Sequence, residues 1–268
     1  MLKLVDRALT AAREGRLAFA INRRVAEVLG RDIEQPYRDA DPRRTTLTFE
    51  GETKDAYAAA IFRAVVDGQN GIGKLSEEVR ALKGMSGKAY RLAVNNLVAS
   101  VEGARYLEVG SWLGSTAASA TYGNDVTCIC IDNWAEFGGT ASAFLDNMKK
   151  AIDPARLTFM ERDFRKVDYT TLPPSNVYLF DGPHTFRDHY DGIRLAQPAL
   201  DEKYILIIDD WNWLAVRMGT FAALKKLGSE ILYKVEVRTS HDDQMPEVAF
   251  EASEWHNGYL FAVVRKKR

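Results

Sequence analysis

The apolar positions of this chain change their period along its length, and that change suggests how it is organised. Residues 2–29 carry Leu2, Val5, Leu9, Leu17, Ile21, Val25 and Val28 at broadly helical spacing, with a break expected near Gly15. Residues 31–50 are polar and turn-rich, contain Pro36 and Pro42, and read as a connector. Helical spacing returns from Asp55 to Val66, from Lys74 to Leu82 and from Lys88 to about Ser100. From Tyr106 onward short apolar runs alternate with amphipathic stretches. The runs predict strands at Tyr106–Val109, Val126–Ile131, Leu157–Glu161, Val177–Phe180, Tyr204–Ile208, Ile231–Val237 and Tyr259–Val264. Helices are expected between them at about 115–122, 140–151, 185–198 and 213–227. Most of the first five runs are continuously apolar, as strands buried on both faces of a parallel sheet must be. The alternation predicts an α/β fold: a doubly wound, mostly parallel, seven-stranded sheet behind an N-terminal helical extension. The expected division is 1–84 for the extension, packing on the core or forming a homo-oligomer, and 85–268 for the sheet domain.

An open sheet of this kind binds its ligands beyond the carboxyl ends of its strands, so the residues at those ends decide the chemistry. The first strand runs into Glu108-Val109-Gly110-Ser111, and Gly114-Ser115-Thr116 opens the helix that follows. A dinucleotide-binding turn would place a glycine where Glu108 stands. The next three strands end on Asp132-Asn133, on Asp163-Phe164 and on Asp181-Gly182-Pro183-His184, and the fifth on Asp209-Asp210. Any one of these acids reads equally as a helix cap or turn residue. Acids at five successive strand ends point to a polar cleft. The pair after the second strand suits ribose hydroxyls, and the Asp-Phe pair after the third suits an adenine amino group and ring.

Net charge is −1 at pH 7, which offers no global field to recruit nucleic acid or an anionic membrane. No apolar run is long enough to span a bilayer, and the basic residues among the first apolar positions argue against a signal peptide. Two cysteines, Cys128 and Cys130, fall two apart in one predicted strand, read as core thiols, and suit a reducing cytoplasm. Between the last two strands lies a long polar insertion, 238–258, that could lie over an acceptor as a lid. Trp211 and Trp255 are expected to stack on the acceptor, with Trp213 in the core.

The ordered set Glu108-x-Gly110-x-x-x-Gly114-x-Thr116, Asp132, Asp163-Phe164, Asp181 and Asp209-Asp210 resembles the class I S-adenosylmethionine-dependent methyltransferases over residues 85–268. It is most similar to their small-molecule O-methyltransferases that use a divalent metal, of the catechol, caffeoyl-coenzyme A and macrolide-sugar types. The resemblance implies that Met85 and Ser86 lie over the cofactor, and that Thr116 binds its methionine carboxylate. It also implies that Asp132 takes the ribose and that Asp163 with Phe164 takes the adenine. Ser111, Asn133 and Asp181 belong to the same implied cofactor set. Asp181, Asp209 and Asp210 are the implied ligands of Mg²⁺. Catechol-type members carry a catalytic lysine where this chain has His184, so His184, with Asp181, is the candidate for the proton-transfer chemistry. Methyl transfer to a hydroxyl needs alignment, exclusion of water and a means of ionising the hydroxyl, and either a bound dication or His184 would supply the last. Three readings stay open beside the metal-assisted one: a metal-free transfer with His184 as base, a nicotinamide-dependent oxidoreductase, and a non-catalytic binding protein of the same fold.

Overall fold

A computed structural model describes residues 45–267. The helical pattern expected over 2–29, with the oligomer contact assigned to it, lies outside the described residues. Among the described residues eight strands form one sheet: β1 (Thr46–Gly51), β2 (Ala104–Val109), β3 (Val126–Asp132), β4 (Leu157–Glu161), β5 (Ser175–Phe180), β6 (Leu200–Ile208), β7 (Glu230–Arg238) and β8 (Tyr259–Arg265). Their order is β1-β7-β8-β6-β5-β2-β3-β4. The five strands from β6 to β4 run parallel, and β8, β7 and β1 are joined antiparallel.

The eighth strand corrects the expectation of seven. All but the last residue of this strand fall in the stretch 31–50 read as a connector, yet Thr46 pairs with Arg238 and Gly51 with Tyr233 along the outer edge of β7. Thr-Leu-Thr-Phe is a short alternating run on an edge strand, with one half-buried face, and its partner is far away in sequence. A local reading of period has little to work on there.

Among the described residues seven α-helices cover the faces: α1 (Ala56–Gln69), α2 (Glu77–Arg80), α3 (Lys88–Ala99), α4 (Ser115–Thr121), α5 (Ala141–Met148), α6 (Phe186–Ala196) and α7 (Leu214–Leu227). Alternate side chains of β2 feed two separate cores, as the pleat requires. Tyr106 packs with α1, α3, α4 and α5 on one side, and Leu107 and Val109 pack with α6 and α7 on the other. Asp55 caps α1 by accepting from Tyr57 N at 2.9 Å, and its other oxygen meets Lys203 Nζ of β6 at 2.5 Å, which ties α1 to the sheet. Cys128 and Cys130 are buried thiols with sulfurs 3.5 Å apart. No helix among the described residues is long and apolar enough to cross a membrane. Strand order reverses between β2 and β5, and that switch point is where a crevice opens.

Candidate active site

The crevice is a cleft of about 550 Å³ at the carboxyl ends of the parallel strands. Its floor begins where β2 ends. Gly110 takes φ +90, and a Cβ there would overlap the carbonyl oxygen of Asp181, so only glycine lets the two strand ends approach. Asp132, at the end of β3, braces the loop that follows. One carboxylate oxygen accepts from Trp112 N at 2.7 Å and the other from Trp134 N at 2.6 Å. Trp112 and Trp134 are both held at positive φ, a conformation that costs energy for a bulky residue and persists through these bonds. Each oxygen of Asp132 retains a further acceptor position.

Asp163 also has a local task, since it caps the turn Phe164–Lys166 by accepting from Arg165 N at 3.0 Å. Met85, Gly110, Ser111, Thr116, Asp132, Asn133, Asp163, Phe164, Asp181, His184, Asp209 and Asp210 all line the cleft. Ser86, Glu108 and Gly114 do not. Ser86 lies buried and accepts from Arg91 Nε at 2.8 Å. Glu108 sits beneath the cleft floor at 1% exposure, accepting from the Tyr106 hydroxyl at 2.5 Å. Burial raises its pKa to about 7, against the opposing pull of that hydrogen bond. Gly114 shapes the turn into α4 at φ +81, facing Phe144 and Met148.

Parallel pairing of β5 and β6 brings the other acids together. Phe180 stands opposite Ile208, so Asp181 and Asp209 leave adjacent strands side by side. Asp210 follows at φ 55 and turns its carboxylate into a dense set of partners. Asn257 Nδ2 donates to Oδ1 at 2.5 Å, and His184 Nε2 lies 2.6 Å from Oδ2. Burial alone would raise the Asp210 pKa, but the His184 imidazolium holds it down to about 2. Burial alone would lower His184, and Asp210, with Glu136 beyond it, lifts it to about 9. Asp181 and Asp209 are pushed up by burial and by neighbouring carboxylates. Asp181, His184 and Asp210 offer ligand atoms within 4.8 Å of one another. Asp209, placed by the resemblance among the metal ligands, is outside that trio: it accepts from Asp210 N at 2.6 Å and lies against Asp181. It does not cap α7; that task falls to Asp243, which accepts from Leu214 N.

Three tryptophan assignments are corrected. Trp211 and Trp255 are core residues, their indole N–H groups donating to Glu236 at 2.8 Å and Gln69 at 2.6 Å. Trp213 lines the cleft instead, its ring 5.0 Å from that of His184. The backbone turn at Asp210 decides which of the two neighbouring indoles faces in.

The 238–258 insertion contributes Met245, Phe250 and His256 to the cleft. It is anchored at both ends. The Ser253 and Glu254 carbonyls accept from Lys88 N and Tyr90 N, so the insertion caps α3, whose Gly87 has no side chain to do so. Asn212, fully buried, donates to Thr239 Oγ1 at 2.8 Å and to Asn257 Oδ1 at 2.9 Å, and accepts from Thr239 N. His241, outside the cleft lining, reaches Thr46 on β1 at 3.2 Å. Sequence reasoning missed Glu136, Phe137, Met245, Phe250, His256 and Asn257. The lone signal for the last four was the length of the insertion, and Glu136 and Phe137 had none.

Residues 107–211 match a family model described as a methyltransferase domain. That stretch, from β2 to just past β6, is thus similar to a methyltransferase domain. No curated protein matches the chain. Among solved structures it is similar to TrmN from Thermus thermophilus, at 16% identity and a TM-score of 0.44, over 70% of this chain and 52% of that one. The chain thus spans about half the length of TrmN. It is similar also to cofactor-bound Rv0187 from MTB, at 14% identity and a TM-score of 0.49, over 80% and 92% of the two chains. A third likeness is to the O-methyltransferase TomG from Streptomyces achromogenes, solved in complex with SAM, at 12% identity and a TM-score of 0.48, over 80% and 92%.

Proposed function

We propose that the enzyme transfers a methyl group from S-adenosylmethionine to a hydroxyl oxygen of a small molecule, assisted by a divalent cation of the Mg²⁺ type. The observation that carries this reading is that one cleft has nucleoside-type acceptors at one end and a cation-type donor set at the other. Asp132 and Asp163 stand at the ends of β3 and β4, and Asp181, His184 and Asp210 converge beyond β5 and β6.

The residues present fit both groups. Asp132 keeps acceptor capacity for two ribose hydroxyls, Asp163 and Phe164 suit an adenine amino group and ring, and Met85, Ser111 and Thr116 line the same cleft for the amino-acid end. Buried carboxylates side by side need a counter-charge; the His184 imidazolium provides one as the structure stands, and a dication among Asp181, Asp210 and His184 would provide a larger one. When bound, S-adenosylmethionine supplies a methyl group on a positively charged sulfur, and the cation supplies the field that favours an ionised hydroxyl. The chain itself aligns the reactants, walls off water with Trp213 and the insertion, and holds a proton site at His184. His184 with Asp210 also supports a second, metal-free reading, because an imidazole 2.6 Å from a buried carboxylate is already a proton-holding pair.

Calorimetry tests the cofactor assignment. S-adenosylmethionine is expected to bind the wild type, and Asp132→Ala to weaken it by about 1–3 kcal/mol through lost charged hydrogen bonds. Unchanged affinity in a folded variant would remove the ribose role. Chelation tests the metal: turnover should fall and return on adding Mg²⁺, whereas full activity after exhaustive chelation leaves the His184 mechanism as the account.

A further inference from the structure

The cleft is not uniform in charge along its length. At the nucleoside end Arg162 and Arg165 stand beside Asp163, with Arg165 held by Asp188 at 2.5 Å and Asp191 at 3.3 Å. The far end is bounded by Glu136, Phe137, Trp213, Met245, Phe250 and His256 around His184. Trp213, Glu136 and His256 lie by His184 and Asp210 of the acid cluster. The Trp213 ring edge meets His184 at 5.0 Å, Phe250 stacks with His256 at 5.1 Å, and Glu136 Oε1 lies 3.9 Å from His184 Nδ1. Phe137 is half exposed at 52% and packs edge-on to Trp112 at 6.2 Å. Among the described lining residues this end carries no lysine or arginine, and the cationic group that Glu136 faces is the His184 imidazole, 3.9 Å away.

From this asymmetry we infer that the methyl acceptor is a flat, ring-bearing molecule that is neutral or carries an amine, and that Glu136 selects against acceptors bearing an anionic group. The inference rests on the methyltransferase reading and adds the charge class of its second substrate. Aromatic faces present a negative π-surface that attracts a cation and a flat ring alike. A carboxylate at the rim of a low-dielectric cleft adds attraction for an ammonium and repulsion for a carboxylate, phosphate or coenzyme A thioester. A dication held by Asp181, Asp210 and His184 would offset the two carboxylates and engage the imidazole that Glu136 faces, leaving Glu136 without a counter-charge at the acceptor end.

The test uses the full chain with S-adenosylhomocysteine and Mg²⁺, and three benzene-1,2-diols differing only in the para substituent: 2-aminoethyl, methyl and carboxylate. Binding is read by quenching of tryptophan fluorescence, since Trp112, Trp134 and Trp213 line the cleft. The aminoethyl diol should bind about 5- to 10-fold more tightly than the methyl diol, as expected for one close charge pair, and the carboxylate diol more weakly than either. High salt should compress the series. In Glu136→Gln the ratio between aminoethyl and methyl diols should fall to about 1, while Glu136→Asp should restore part of it. A carboxylate diol binding as tightly as the aminoethyl diol, a ratio unmoved in Glu136→Gln, or no binding by any of the three would overturn the inference. Those outcomes leave the methyltransferase reading intact, because that reading stands or falls on S-adenosylmethionine binding, measured separately.

Discussion

Asp210→Asn is expected to lower the rate of methyl transfer by about 10³-fold while leaving S-adenosylmethionine affinity within about threefold, a pattern that marks a group acting on the reaction rather than on cofactor binding. Asparagine tolerates the positive φ of position 210, so the turn after β6 should survive. What is lost is the charge. Asp210 accepts from Asn257 on one oxygen and faces His184 on the other, and an amide can satisfy the geometry of both without balancing the imidazolium or a dication. The variant therefore also releases His184. Its pKa, about 9 beside the carboxylate, should fall toward the ordinary value near 6.5 once only Glu136 and Asp209 oppose burial. NMR titration of the imidazole reads that shift directly. A variant retaining near-full rate, or a His184 pKa that does not move, would remove Asp210 from the chemistry.

The second large effect concerns stability. Burial holds the Glu108 pKa at about 7 in the folded protein, above the ordinary glutamate value of 4.5, so the native state binds its proton more tightly than the unfolded chain does. Stability therefore falls as pH rises from about 4.5 to about 7, and the full penalty persists above that; the 2.5-unit difference corresponds to about 3 kcal/mol. Glu108→Gln keeps an acceptor for the Tyr106 hydroxyl and removes the ionisation. It should be more stable than the wild type above pH 7.5 by up to about 3 kcal/mol, and the advantage should disappear near pH 4. Urea denaturation at several pH values measures it. A constant difference across that range would mean that Glu108 does not titrate in the folded protein.

The sequence was most readable where function depends on single strands. Asp132, Asp163, Asp181, Asp209 and Asp210 each follow an apolar run, and a parallel sheet delivers such positions to one edge whatever the details of packing. Roles within that edge were less readable because long-range partners assign them. Asp210 enters the ligand-like trio because Asn257 and His184 orient it, and Asn257 is 47 residues downstream. Asp209 leaves the trio because the Asp210 N–H and Asp181 claim its carboxylate. Trp211 and Trp213 exchange their expected places through one positive φ between β6 and α7. The strand Thr46–Gly51 was missed because its pattern is short and its partner β7 is remote.

The anchoring of the insertion sets the limits within which acceptor choice could be re-engineered by exchanging segments. Thr239 and Ser240 are joined to Asn212, Asp243 caps α7, Ser253 and Glu254 cap α3, Trp255 reaches Gln69, and Asn257 supports Asp210. A graft that replaced 238–258 whole would remove the supports of two helices and of the acid it was meant to serve. The stretch free of those duties is 244–252, and it carries Met245 and Phe250 to the cleft. A library confined to those nine positions would vary the acceptor wall on an undisturbed frame.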